Sequence, residues 1–119
     1  MRVLVAFEEQ LRTGGEAIAS AIRWHRPRVE VTVAGSGDVE REAIRFDPHL
    51  VISSVPSPTD VSGRLAWIFL SPDPEKTSEI CLGAERREVR NPSLEELLSV
   101  LDEVKRLVMA IPYRTSREC

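Results

Sequence analysis

An unbroken apolar run in the middle of the chain constrains the fold more than any other stretch. It reads Leu50-Val51-Ile52, and two of its members are β-branched. Pro48 ends the helical pattern before the run, and it is expected to hold Asp47 in an extended conformation, because proline disfavours helical geometry in its predecessor. A run without polar alternation is typical of a parallel strand covered by helices on both faces. We therefore predict a central strand, Leu50–Ser53, in an open α/β sheet.

Other segments show strand-like patterns. Short apolar runs predict strands over residues 2–7 and 65–70, and alternation over residues 29–34 predicts a strand near a sheet edge. Residues 77–82 and 85–90 flank a Gly-Ala pair, which predicts either a hairpin or one strand with an irregular lead-in.

Three helices are predicted between and after these strands. Thr13 and Glu16 have the spacing of a capping box, as do Ser93 and Glu96. Helices are therefore expected to begin at Gly14 and at Leu94, directly after the first residue of each box. Asp38 is expected to cap a short helix between them. The side chains predicted to face inward or to form an interface are Val39, Ala43, Ile44 and Phe46 of that short helix, with Trp24 and Trp67.

Composition limits the class of protein. The 119 residues predict one domain over residues 1–112 and a flexible tail over residues 113–119. A net charge of −3, with acids and bases interleaved, argues against a nucleic-acid or anionic-membrane surface. The longest apolar run, residues 65–70, is too short to span a bilayer. Cys81 and Cys119 have no metal-ligand spacing, so we expect free thiols in a reducing cytoplasm, with no metal and no cofactor.

Polar residues follow several of the predicted strands. Ser53 and Ser54 end the central strand and Ser71 ends the next, at the edge where open α/β sheets bind ligands. They could contact a small anion or ligand, or they could simply end the strands. Glu8 and Glu9 could hold a cation or be solvated. No general base lies beside any of these serines in the sequence, so no catalysis is predicted.

Three stretches together resemble a known family. Residues 2–9 (R-V-L-V-A-F-E-E), residues 47–54 (D-P-H-L-V-I-S-S) and residues 90–98 (R-N-P-S-L-E-E-L-L) look like parts of CheY-like response-regulator receiver domains. The resemblance implies an α/β, three-layer, flavodoxin-like parallel sheet in the order 2-1-3-4-5. The third and fourth helices are expected to be reduced or absent, because the segments at their positions are short or rich in proline.

The resemblance does not carry over the family's chemistry. Its acidic pair falls on Phe7 and Glu8, its phosphorylated aspartate on Ser54, its hydroxyl residue on Ser71 and its lysine on Asn91. Aspartyl phosphorylation needs a carboxylate nucleophile and several hard oxygen ligands for a divalent cation, so we predict no phosphotransfer. The candidate ligand-binding residues are therefore Glu8, Glu9, Ser53, Ser54, Ser71 and Asn91.

The sequence thus predicts a non-catalytic pseudo-receiver that acts as a regulatory or protein-interaction module. Its partner would be another protein or a second copy of itself, because the apolar face of the last helix, which begins at Leu94, is wide enough to serve a homodimer. The alternative is a domain that binds a small molecule or an anion at the carboxyl edge of the sheet.

Overall fold

The computed structural model describes residues 1–54, 66–82 and 85–110, which form six strands and three α-helices. The strands are β1 (Arg2–Phe7), β2 (Glu30–Gly35), β3 (Leu50–Ser53), β4 (Ala66–Phe69), β5 (Thr77–Leu82) and β6 (Glu85–Arg90). The helices are α1 (Arg12–His25), α2 (Val39–Phe46) and α3 (Leu94–Ala110). The predictions made for residues 55–65 and for the tail lie outside the described residues.

All six strands belong to one mixed sheet in the order β2-β1-β3-β4-β5-β6. The pairs β1–β2, β1–β3 and β3–β4 are parallel, whereas β4–β5 and β5–β6 are antiparallel. Every residue of β3 is buried, and Ile52 pairs with Val5 on one side and Ile68 on the other. The predicted buried strand at this position is confirmed.

The predicted parallel sheet in the order 2-1-3-4-5 is wrong. β5 runs antiparallel to β4, and a sixth strand follows it at the edge. The reason is the length of the connection, since only residues 70–76 separate β4 from β5. A parallel crossover needs about a dozen residues or more, so the chain can only turn back on itself. Of the two alternatives for residues 77–90, the structure shows the hairpin.

The helices cover the two faces of the sheet unequally. α1 and α3 pack on the face that carries Val5, Ile52 and Ile68, and their buried residues belong to the same core cluster. The opposite face carries a smaller cluster around Leu4 and Trp67, against which Phe46 of α2 packs.

Both edges of the sheet carry charged side chains. At β2, the Glu30 N–H donates to Met1, so the backbone groups of the next residue, Val31, face outward. A guanidinium N–H of Arg23 donates to that outward carbonyl at 2.9 Å. At the other edge, β6 reads E-R-R-E-V-R, a charged strand of the kind that resists pairing with other chains.

Two local predictions are wrong. Asp47 is not extended but has a φ of 50°, in the left-handed region that commonly ends helices and that aspartate tolerates. It directly follows α2, and its carbonyl accepts a hydrogen bond from Nε of Arg2 at 2.9 Å. In α1, the box at Thr13 is not used. The helix begins at Arg12 without a side-chain cap, and Glu16 instead contacts Arg12 Nε at 3.2 Å.

The capping box of α3 is confirmed. The Ser93 N–H donates to Glu96 Oε1 at 3.0 Å, and the Glu96 N–H donates to Ser93 Oγ at 3.2 Å. Both bonds satisfy donors that the helix itself cannot pair.

Replacing Ser93 with alanine is expected to lower the free energy of unfolding by about 1 kcal/mol, because the Glu96 N–H loses its acceptor. Urea unfolding followed by circular dichroism measures the change. Ser99→Ala is the matched control, since Ser99 is exposed in the interior of the same helix, and it is expected to be neutral or slightly stabilising. A loss at Ser99 equal to that at Ser93 would contradict the role of the cap.

Two ion pairs attach α3 to the rest of the domain. Arg26, at the end of α1, binds both carboxylate oxygens of Asp102 at 2.9 and 2.8 Å. Arg87 of β6 binds those of Glu103 at 3.0 and 3.1 Å. Hydrogen bonds from the guanidinium groups, more than charge alone, lower the pKa of each carboxyl group below its ordinary value.

Acid is therefore expected to weaken these attachments. A carboxyl group whose pKa is lower in the folded state stabilises the protein above its ordinary pKa, and this contribution is lost as the pH falls through the folded value. For Glu103 the contribution is below about 1 kcal/mol, because the pair is partly solvated.

The Glu103→Gln variant is expected to be slightly less stable than the parent at pH 7. The difference is expected to shrink below about pH 4, near the ordinary carboxyl pKa, and to vanish below the lower pKa of Glu103 in the folded protein. Thermal melts across this range measure the difference. Glu30→Gln serves as the control, because Glu30 is exposed and has no ion pair among the described residues. A difference between Glu103→Gln and its parent that persists undiminished at low pH would contradict the assignment.

Several burial predictions have a clear outcome. Trp67 is 4% exposed and belongs to the core, whereas Trp24 and Ile44 are 82% and 81% exposed, so the inward placement of Ile44 is wrong. The apolar face of α3 is used within the chain, and Leu97, Leu101 and Val104 on it are buried. No helix in the described residues is long and apolar enough to cross a bilayer.

Candidate functional site

A row of side chains crosses the sheet at the carboxyl ends of β1, β3 and β4. Four residues are neighbours across the sheet at this level: Phe7, Ser54, Leu70 and Ser78. The first three follow directly after the paired residues Ala6, Ser53 and Phe69, and Ser78 directly precedes Glu79, the partner of Phe69 on β5. Side chains alternate between the faces of a sheet, so all four share the face of the main core cluster, which α1 and α3 cover. They form the floor of a groove.

The groove lies between α1 and α3 and has a volume of about 530 Å³. Small residues of α1, Gly14 and Ala17, line one wall, and Leu94 and Leu97 of α3 line the other. A methyl group added at Gly14 would meet no atom within 4 Å, so the wall is open at that point. None of the described residues that line the groove is charged.

Ser54 and Ser78 are the two buried polar side chains of the floor. Ser54 is 3% exposed, and its Oγ accepts a hydrogen bond from the Glu8 N–H at 2.9 Å. Ser78 is 1% exposed, and its Oγ accepts from the Ser71 N–H at 2.9 Å. Within the described residues neither hydroxyl donates a hydrogen bond, so each keeps a hydrogen that a ligand could receive.

Ser71 also lines the groove, but its hydroxyl is used in the loop after β4. Its Oγ donates to the Asp73 carbonyl at 3.0 Å and accepts from the Asp73 N–H at 3.2 Å. The Asp73 side chain in turn accepts from the Glu75 N–H at 3.0 Å. These local bonds fix the short turn that brings β5 back beside β4, and so place Ser78 on the floor.

The structure brings together three of the six predicted site residues. Ser54, Ser71 and Asn91 line the groove. Ser53 is fully buried and, by alternation along β3, lies on the opposite face of the sheet. Glu8 contributes its backbone N–H to Ser54, and the exposed Glu9 borders a different hollow.

Two further residues line the groove that the sequence did not predict as parts of the site, Ser78 and Leu70. Ser78 shares the alternation of Ile80 and Leu82, which face the main core, so its face could have been deduced from the pattern T-S-E-I-C-L. Its position beside Leu70 could not be deduced, because that depends on the antiparallel pairing of β5 with β4.

A second hollow, beside β1 and β2, has a volume of about 480 Å³ and is lined by arginines and acids. Arg41 contacts Asp38 at 3.4 Å, and Arg45 contacts Glu42 at 3.6 Å. Arg12 contacts Glu16 at 3.2 Å. Since each of these three arginines has an acidic partner, the described lining of the hollow offers an anion no uncompensated positive charge. It is a weaker candidate than the groove.

No protein-family model matches the chain, and neither does any curated protein or any solved structure. The resemblance to receiver domains stays a prediction. Among the described residues, no group of three or more histidine, cysteine or acidic side chains is arranged to hold a metal ion.

Proposed function

We propose that the protein is a non-catalytic binding domain that holds a small organic ligand in the groove. The observation that carries the proposal is the pair of buried serines, Ser54 and Ser78, whose hydroxyl hydrogens are not used within the described chain. Buried polar groups normally find partners, so an unused donor on the floor of a groove favours a ligand there.

The position and size of the groove support this reading. It lies at the carboxyl edge of the parallel strands, near the point between β1 and β3. The chain switches there from one side of β1 to the other, and open α/β sheets bind their ligands at such points. Its volume of about 530 Å³ falls within the range of about 300–1,000 Å³ that is usual for small-molecule sites.

The contacts of Ser54 support binding without catalysis. A serine nucleophile needs a general base within hydrogen-bonding distance, usually a histidine. The bond that Ser54 Oγ makes is with a backbone N–H, that of Glu8, which cannot accept a proton.

A protein-interaction module, the leading prediction from the sequence, receives less support from the described surface. The large apolar side chains that are most exposed, Trp24 and Ile44, lie on different helices that pack on opposite faces of the sheet. Single exposed apolar residues are normal and do not define an interface. Binding of a protein partner and homodimer formation therefore stay predictions.

The experiment is a fragment screen on the ¹⁵N-labelled protein by two-dimensional NMR. Neutral fragments that combine a ring with a carbonyl group are expected to shift the amide signals of Ser54, Ser78 and Gly14 together. The variant Gly14→Leu places a side chain in the open part of the groove, and it is expected to weaken this binding at least tenfold.

The matched control is Gly14→Ala, which adds a single methyl group at the same position and is expected to leave most of the binding intact. Fragments that shift signals scattered over the surface, or that bind Gly14→Leu as well as the parent protein, would contradict the groove as the site. A screen in which no fragment shifts the groove signals would contradict the proposed function itself.

A further inference from the structure

The floor of the groove indicates which class of ligand it holds, an inference that rests on the proposed function. From the chemistry of that floor we infer that the ligand is an elongated, uncharged molecule. It carries two hydrogen-bond acceptors about 10 Å apart, joined by an apolar segment, and each acceptor receives a hydrogen bond from one of the two serines, Ser54 and Ser78.

The spacing of the acceptors follows from the sheet. Ser54 lies at the end of β3 and Ser78 lies on β5, with β4 between them. Neighbouring strands are about 4.8 Å apart, so two hydroxyls at the same level on these strands are about 10 Å apart. Between them the floor carries Leu70, which gives the middle of the ligand an apolar surface to contact.

The absence of charge follows from the lining. No charged side chain is present among the described lining residues, so a buried carboxylate or ammonium group would lose its hydration without gaining a partner of opposite charge. The N-terminus of α3, which borders the groove, is a poor substitute. The capping box already bonds the Ser93 and Glu96 N–H groups, and the first turn carries Glu95 and Glu96, which repel an anion.

Both serines have the correct hydrogen-bonding role for acceptor ligands. Each Oγ already accepts from a backbone N–H, at 2.9 Å in both cases, and this holds the oxygen in place. Each hydroxyl keeps its hydrogen to donate, and one of its two lone pairs is already used, so the floor favours carbonyl or ether oxygens over polar groups that are donors alone.

Four small probes with one benzene ring test the inference by NMR titration. The first carries two acetamidomethyl groups in para positions, so that its carbonyl oxygens can lie about 10 Å apart, the distance set by two strand spacings. The second carries one acetamidomethyl group. The third and fourth carry two carboxymethyl and two aminomethyl groups, which keep the shape but add charge.

The diamide is expected to bind the groove about tenfold more tightly than the monoamide, and at least tenfold more tightly than the diacid or the diamine. In Ser54→Ala and in Ser78→Ala, its affinity is expected to fall to that of the monoamide, while the monoamide loses less. Because these serines also bond backbone N–H groups, the comparison of the four probes on the unmodified protein keeps the test valid if a variant fails to fold.

The outcomes separate this inference from the proposed function. A diacid or diamine that binds the groove as tightly as the diamide overturns the uncharged ligand, and equal affinity for diamide and monoamide overturns the pair of acceptors. If fragments of the earlier screen bind the groove but none of these four probes does, the inference is overturned and the proposed function stands.

Discussion

Replacing Ile52 with alanine is expected to lower the free energy of unfolding by about 2–5 kcal/mol, the usual cost of emptying a well-packed site of this size. Ile52 is fully buried in β3, where it lies between Val5 and Ile68 and faces the core that α1 and α3 cover. Water that entered the cavity left by the lost side chain would add a further free-energy cost. Urea unfolding of the variant and the parent, with the slopes compared, measures the difference.

The control for this prediction is the same substitution at Ile44. That side chain is 81% exposed on α2, so its removal is expected to change the stability by less than about 0.5 kcal/mol. A loss at Ile44 comparable to that at Ile52 would show that α2 is packed differently from the arrangement described above.

Gly15→Leu is expected to destabilise the protein by about 1–3 kcal/mol, because it overfills a close contact between α1 and β1. A Cβ atom at Gly15 would lie 3.1 Å from Cγ of Phe7 and 3.2 Å from its Cβ, and both residues are buried. Since the crowded atoms of Phe7 are close to its own backbone, the ring cannot simply rotate away. Thermal and urea unfolding measure the loss.

Gly14→Leu is the matched comparison, one residue earlier in the same helix. A Cβ there meets nothing within 4 Å, and leucine is a better helix former than glycine, so stability is expected to be unchanged or raised by up to about 0.8 kcal/mol. This result is also needed for the fragment screen, which relies on a blocked groove in a folded protein. Equal destabilisation by the two substitutions would contradict the packing assigned to α1.

The parts of the fold that the sequence predicted depend on local patterns. The apolar run at β3 and the capping box at Ser93 are signals contained within a few residues, and the structure shows both features where they were expected. The direction of β5 is a different kind of property. It follows from the short connection after β4. The predicted parallel order came from the resemblance to receiver domains and did not take the length of this connection into account.

The same distinction applies to the candidate site. Ser54 and Ser71 were found because the ends of parallel strands meet at one edge of a sheet. Choosing Ser54 over Ser53 required the face of β3 that meets α1 and α3, and finding Ser78 required the antiparallel pairing of β5 with β4. Asp47 also departed from the rule for residues before proline, because the end of α2 and the hydrogen bond from Arg2 set its conformation.

The two charged edges of the sheet restrict how this protein can assemble. A strand from another molecule that approached β2 would have to displace the Arg23 guanidinium from the Val31 carbonyl. One that approached β6 would have to match a strand in which five of six side chains are charged. Continuous growth of the sheet from molecule to molecule is therefore disfavoured at both ends, which protects the folded protein at high concentration from forming fibrils by edge-to-edge pairing.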